Sequence, residues 1–223
     1  MFKDIKKALV ISPHPDDETL GVGGTIKRLS REGVEVYVHF ISGHLPPLYP
    51  KDSFEITMKE ATDAMDLLGV AGYSFAKIPA TQISKLEVSK LNNILSDYMK
   101  TINPDIVFLP FPDRHIDHKT IFDSGMVVTR PVGKKYPKVV VCYETLSETY
   151  WNAPHIEPNF TPNFFVDISQ TIDIKLSALE IYQSQISGNY SRSKESTKAL
   201  AVLRGSQNGF NFAESFQLIR FLY

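Results

Sequence analysis

Two short stretches hold the residues able to do chemistry. The first, His14-Pro15-Asp16-Asp17-Glu18, follows the apolar run "ALVIS"; the second, His115-Ile116-Asp117-His118, lies far downstream after "DIVFLPF". Three of the six histidines fall in these stretches. Imidazole and carboxylate are ordinary zinc ligands, and a catalytic zinc site commonly takes three protein ligands plus a water. His14, Asp17 and His118 would supply two nitrogens and one oxygen for one Zn²⁺ per chain, and the same donors suit Fe²⁺. Asp16, left unligated, could take a proton from the site's water, whose pKa such a metal lowers toward about 7. His115 could donate a hydrogen bond to an oxyanion as it develops. Taken singly, each stretch reads as readily as a polar turn or a capped helix start. The case for a metal therefore rests on the two meeting in space.

The elements that must position them alternate along the chain. Residues 8–12, 34–42, 73–78, 105–111 and 138–144 read as strands; 24–32, 52–69, 88–102 and about 118–128 read as helices. In the second helix Asp52 and Glu55 are spaced as a capping box, and Gly69 is the stop. In the third, Leu91, Ile94, Leu95, Tyr98 and Ile102 share one face. Continuous apolar strands between amphipathic helices imply a mostly parallel α/β sheet, Rossmann-like and doubly wound, with helices on both faces and a strand order near 3-2-1-4-5. Ligands bind such sheets beyond the carboxyl ends of the strands where the order reverses. The two motifs leave the first and fourth strands, so they should emerge side by side. From residue 146 the rhythm changes to a Pro- and Asn-rich stretch, a short strand (164–169), two helices (about 171–185 and 193–204) and a final extended run. The expectation is a single domain over 1–223, with a core over 1–145 and a small C-terminal annex over 146–223 contributing to the cleft.

Composition narrows the function classes. The 223 residues carry 24 Lys and Arg against 25 Asp and Glu, without the basic excess of a nucleic-acid binder. A single cysteine, Cys142, excludes a disulfide framework and a cysteine-based zinc site. No apolar run reaches the roughly 20 residues of a membrane span, and the N-terminus lacks a signal-peptide core, so the expected location is cytoplasmic. Gly21, Gly23 and Gly24 hint at a dinucleotide loop, but the acids before them would repel a pyrophosphate, and close helix–sheet packing is the better reading. No G-x-S-x-G elbow is present. A metal-dependent phosphoesterase, with Asp113, Asp117, Glu18 and His44 as further ligands, stays open, as does a non-catalytic sugar-binding protein on the same fold.

With "PHPDDE" at 13–18 and "HIDH" at 115–118, the chain resembles the PIG-L/LmbE-like zinc de-N-acetylases, whose signatures are these two motifs in this order. The stretches "YETLSETYW", "PNFFVDIS" and "LRGSQNGFNFAESF" extend the resemblance through the second half. It implies a hydrolase that removes acetyl from an N-acetylglucosamine-type conjugate, soluble or lipid-linked. It implies His14, Asp17 and His118 as metal ligands and Asp16 as general base. It further implies His115 as an imidazolium oriented by Asp117, and a homo-oligomer. Many relatives carry an arginine where Thr57 stands here, with Lys59 the nearest cation. A His-Pro-Arg-Ser element of some relatives reads Tyr190-Ser191-Arg192-Ser193, leaving Arg192 as a substrate contact. Glu144, Trp151 and Tyr190 are candidates to line the cleft, aromatic faces being suited to sugar rings, and His44 ends the second strand on the same side.

Overall fold

The computed structural model describes residues 4–133 and 135–223. Five strands, β1 (Lys7–Ser12), β2 (Glu35–Gly43), β3 (Gly72–Pro79), β4 (Ile106–Pro110) and β5 (Val139–Tyr143), alternate with four helices, α1 (Asp17–Arg31), α2 (Ser53–Leu68), α3 (Val88–Ile102) and α4 (Ile116–Val128). Two further strands, β6 (Phe164–Asp167) and β7 (Ala213–Phe221), and helices α5 (Ile172–Ile181), α6 (Gln183–Ile186) and α7 (Lys194–Ser206) complete the chain. The seven strands form one mixed sheet in the order β3-β2-β1-β4-β5-β7-β6. The first five run parallel, and β7 pairs antiparallel with both β5 and β6. The order 3-2-1-4-5 expected for the core is the order observed.

Alternation along the strands splits the core into two faces. Ala8, Val10, Phe108 and Val141 pack with Val22, Ile26 and Met65 from α1 and α2. Leu9, Ile11, Val107 and Cys142 pack with Leu91, Leu95 and Ile121 from α3 and α4. Cys142 is thus a buried apolar filler. The C-terminal part is more than a covering: β7 pairs with β5, which would otherwise be an edge with unpaired backbone groups, and α5 and α7 add Leu176, Ala178 and Ala201 to the face that α1 occupies. No helix among the described residues is long and apolar enough to cross a membrane.

Three local expectations are corrected. Helix α1 starts at Asp17, not near residue 24, so the acidic motif forms the helix's own first turn. Its glycines are then interior, and close approach explains them: a Cβ on Gly21 would lie 2.3 Å from Tyr143 Cδ2, and one on Gly24 2.8 Å from Ile168 Cδ1. Helix α4 likewise begins at Ile116, with His115 as its N-cap. At α2, Gly69 ends the helix in the left-handed region as expected (φ 77°), but Asp52 makes no side-chain cap.

Candidate active site

The order of strands reverses between β1 and β4, and there the starts of α1 and α4 lie against each other. From the first, Asp17 Oδ2 accepts from the His14 backbone N–H at 3.0 Å and sits 3.0 Å from His14 Nδ1. From the second, His118 Nε2 approaches the same oxygen to 3.2 Å, without hydrogen-bond alignment. Two metal–ligand bonds of about 2.05 Å meeting at the tetrahedral angle hold their donor atoms about 3.3 Å apart, so both distances suit donors that share an ion. Each histidine is oriented by a carboxylate behind it: His14 Nε2 lies 3.0 Å from Asp117 Oδ2 and His118 Nδ1 3.0 Å from Asp113 Oδ2. Metal-ligating histidines usually carry such a carboxylate on the far ring nitrogen.

The electrostatics describe a buried site short of positive charge. Asp16, Asp17, Asp113 and Asp117 are all buried. Although burial opposes it, hydrogen bonds to Asp117 and Asp17 raise His14 to about 9. His118 rises well above its usual range, again against burial, on the charges of Asp17 and Asp113. Asp17 is held well below the carboxylate range by both histidines despite its burial. Oδ1 of Asp17, Oδ1 of Asp117 and Nε2 of His118 have no hydrogen-bond partner. Unpaired buried polar atoms are costly, and a divalent cation would satisfy both the charge and the open donors. The donor set and spacing therefore fit the metal that the sequence implied. His115 also belongs to the group: ring nitrogens of His14, His115 and His118 lie within 4.8 Å of one another. Asp17 is nevertheless the closer third donor, because its Oδ2 already lies 3.0 Å from His14 Nδ1 and 3.2 Å from His118 Nε2.

Asp16 stands next to these donors with one oxygen engaged and one open. Oδ2 accepts from Arg192 Nη1 at 2.8 Å, while Oδ1 is buried without a partner. Burial pushes its carboxyl up to about 7, the Arg192 charge opposing. His115 departs from expectation. Its Nδ1 accepts from the backbone N–H of Asp117 at 3.1 Å, which places the ring proton on Nε2. Burial, with the neighbouring His14 acting the same way, lowers its pKa to about 4, the opposite direction from an imidazolium. Nor does the Asp117 carboxylate orient it: Oδ2 faces His14 and accepts from Thr81 N at 2.7 Å.

A cleft of about 390 Å³ is walled by His44, Tyr49, Thr57, Glu148, Trp151 and Arg192, among others, and reaches the site through Arg192, which donates to Asp16. His44, Trp151 and Arg192 are thus brought together, with Trp151 half exposed. Thr57 lies in the wall, but its hydroxyl donates to Ser53 O and Phe54 O in its own helix, and Lys59 points to Asp63. Glu144 is not in the cleft: it is buried, paired with Arg204 Nε and Nη2 at 2.9 and 2.7 Å, and bonded by Tyr150 and Ser215. Tyr190 is 80% exposed and takes no part in the wall. Glu18 turns inward and accepts from Ser12, the Asp16 N–H, Thr19 and Tyr182. Sequence reasoning missed Asp113 as the group behind His118, and Ser147 and Glu148 behind Arg192. The i to i+5 spacing of Asp113 and His118 across a strand-to-helix turn was the available sign for the first; nothing local announced the others.

Residues 9–129 match the family described as "PIG-L: GlcNAc-PI de-N-acetylase". The chain is 27% identical over 231 residues to the diacetylchitobiose deacetylase of Thermococcus kodakarensis, across 98% of this chain and 85% of that one. It is 27% identical over 192 residues to the Bacillus cereus protein named "Probable N-acetyl-alpha-D-glucosaminyl L-malate deacetylase 2", across 81% and 84% of the two chains. Among solved structures it is similar to the N,N'-diacetylchitobiose deacetylase of Pyrococcus horikoshii, with a TM-score of 0.77 and 26% identity over 98% of this chain and 85% of that one.

Proposed function

The chain belongs to the PIG-L (GlcNAc-PI de-N-acetylase) family, and on that premise we propose that it hydrolyses the N-acetyl amide of an N-acetylglucosamine-type conjugate, releasing acetate and the free amino sugar. The observation that carries this reading is the convergence of Asp17 Oδ2 with His14 Nδ1 and His118 Nε2, beside an open oxygen of Asp16. His14, Asp17 and His118 would hold the metal, and two imidazoles with one carboxylate are an ordinary donor set for a catalytic zinc. A bound zinc supplies Lewis acidity for the amide carbonyl and for water.

This chain's residues do the rest. Asp16 Oδ1 accepts the proton of the attacking water and returns it to the nitrogen as the C–N bond breaks, so the amine leaves neutral. His115, whose Nδ1 accepts from Asp117 N and whose proton is therefore on Nε2, donates to the oxyanion as the carbonyl becomes tetrahedral. Asp117 and Asp113 keep His14 and His118 aimed. Trp151 and Tyr49 offer aromatic faces to the sugar. A two-metal phosphoesterase would need carboxylates that are spent elsewhere here: Asp113 on His118, Asp117 on His14, Glu18 within the protein.

The test is incubation with N,N'-diacetylchitobiose and with an N-acetylglucosaminyl malate, with and without chelator, reading free amine and, from phosphoesters, released phosphate. Amine that disappears with chelator and returns with zinc is expected. Phosphate release, or no amine from any acetylated sugar, overturns the reading.

A further inference from the structure

Arg192 is the only lysine or arginine among the described residues walling the cleft, yet its side chain is spent on the protein. Nη1 donates to Asp16 Oδ2 at 2.8 Å, Nε to Ser147 Oγ at 3.1 Å and Nη2 to Glu148 Oε1 at 3.4 Å. The burial of Asp16 makes the first of these contacts strong. Two of the three partners have strained backbone: Asp16 has φ 116° and Ser147 φ 76°. Non-glycine residues persist in that region where their surroundings over-determine them, and they cluster at functional sites. One guanidinium therefore ties together two strained residues from separate loops. The tie leaves Asp16 Oδ1 buried and without a partner.

Each of its three nitrogens has a protein acceptor, so three of its five N–H groups hold the side chain in place against Asp16, Ser147 and Glu148. A planar guanidinium also does what a point charge cannot: with Nε and Nη2 held by Ser147 and Glu148, the direction from which Nη1 meets Asp16 Oδ2 is fixed. We propose that Arg192 is a positioning residue, which clamps Oδ2 of Asp16 so that Oδ1 faces the water attacking the amide. The clamp comes from the turn Tyr190–Arg192, just before α7, so the C-terminal part of the chain sets the aim of a group carried by the first β–α connection. This inference rests on the deacetylase reading above.

The experiment compares wild type, Arg192→Ala and Arg192→Lys for kcat and KM on N,N'-diacetylchitobiose, for metal content and for crystal structure. Because a misplacement of about 1 Å can cost on the order of 100-fold, Arg192→Ala should lower kcat about 30-fold, with KM within about twofold and metal content unchanged. Arg192→Lys should recover only part of the loss, and guanidinium ion added to the alanine variant should restore activity where methylammonium does not. If KM rises while kcat is kept, Arg192 is a substrate contact and the inference fails. The crystal structures decide independently of turnover: an Asp16 carboxylate that keeps its orientation in Arg192→Ala also overturns it. Wild type that releases no amine sinks the deacetylase reading and leaves that structural arm standing. Should the alanine variant not fold, Arg192→Lys carries the same readouts.

Discussion

The chain passes from strand to helix twice at the point where the sheet order reverses, and it enters the two helices differently. Into α4 the entry is local: His115 is extended (φ −75°, ψ 125°), and its own Nδ1 caps the Asp117 N–H. Into α1 the entry is forced from outside. Asp16 has φ 116° and no side-chain cap, and the first turn, Asp17 to Leu20, is buried. Ser12, Thr19 and Tyr182 donate to Glu18, and Arg192 grips Asp16. Backbone strain of about 1–3 kcal/mol is offset there by several buried hydrogen bonds of about 1 kcal/mol each. The difference separates two kinds of functional group. The proposed base stands on a strained, externally braced turn, while the proposed oxyanion donor stands on a turn that its own sequence forms.

The strongest way to break that contrast is to remove each group. Asp16→Asn keeps shape and tolerates positive φ while removing the base and the charge that Arg192 grips; kcat should fall about 1,000-fold, within the range for general-base removal, with metal content unchanged. His115→Gln should cost less, about 100-fold, as for loss of one oxyanion donor. Steady-state amine release together with metal analysis checks both. Asp16→Asn within tenfold of wild type would remove Asp16 from the mechanism.

These two turns also mark where sequence reasoning succeeded and where it stopped. The five parallel strands, their order and the meeting of the two motifs were legible because continuous apolar runs, a Gly69 stop and the switch-point rule all act locally or by topology. The start of α1 was not. Gly21, Gly23 and Gly24 lower helix propensity, and what overrides it is tertiary: Tyr143 and Ile168 need the missing side chains, and Glu214 accepts from the N–H groups of Gly24 and Thr25 at 2.8 and 2.7 Å. The pairing of Asp117 with His115 failed for a geometric reason. Residues two apart at a helix start do not face each other, so Asp117 reaches across to His14 instead. Glu144 read as a cleft acid at a strand end because its partner, Arg204, is sixty positions away in sequence.

A smaller effect sharpens the comparison at the carboxylates behind the proposed metal ligands. Asp117, on the α4 turn, braces His14 on the α1 side; Asp113, before α4, braces His118 and also accepts from His115 N at 3.0 Å and Thr149 Oγ1 at 3.1 Å. Loss of such a partner typically weakens metal affinity about 10–100-fold. Asp113→Ala should fall at the high end, because it frees the α4 start as well, and Asp117→Ala at the low end. Competition titration against a chromophoric chelator measures both, and equal affinities with wild type would detach these carboxylates from metal binding.

The smallest effect concerns the helices behind the turns. Each has one interior glycine pressed on a strand, and alanine at either gains up to about 1 kcal/mol of helix propensity while risking about 1–3 kcal/mol of overpacking. At Gly125 the added methyl meets Leu109 Cδ2 at 2.6 Å and Cδ1 at 2.9 Å, the free end of a side chain that can rotate. At Gly21 it meets Tyr143 Cδ2 at 2.3 Å and the Glu144 carbonyl oxygen at 2.8 Å. The Tyr143 ring cannot swing away, because its hydroxyl donates to Ile11 O at 2.8 Å, and α1 cannot lift, because Lys175 donates to Leu20 O at 2.7 Å. Gly125→Ala should therefore change unfolding stability by less than about 1 kcal/mol and Gly21→Ala should lower it by about 2–3 kcal/mol, as read by denaturant titration. Only Gly21→Ala should also weaken metal binding, since its helix carries Asp17 on the first turn. A Gly125 variant that loses more than the Gly21 variant would mean that α4, not α1, is the helix held by its surroundings.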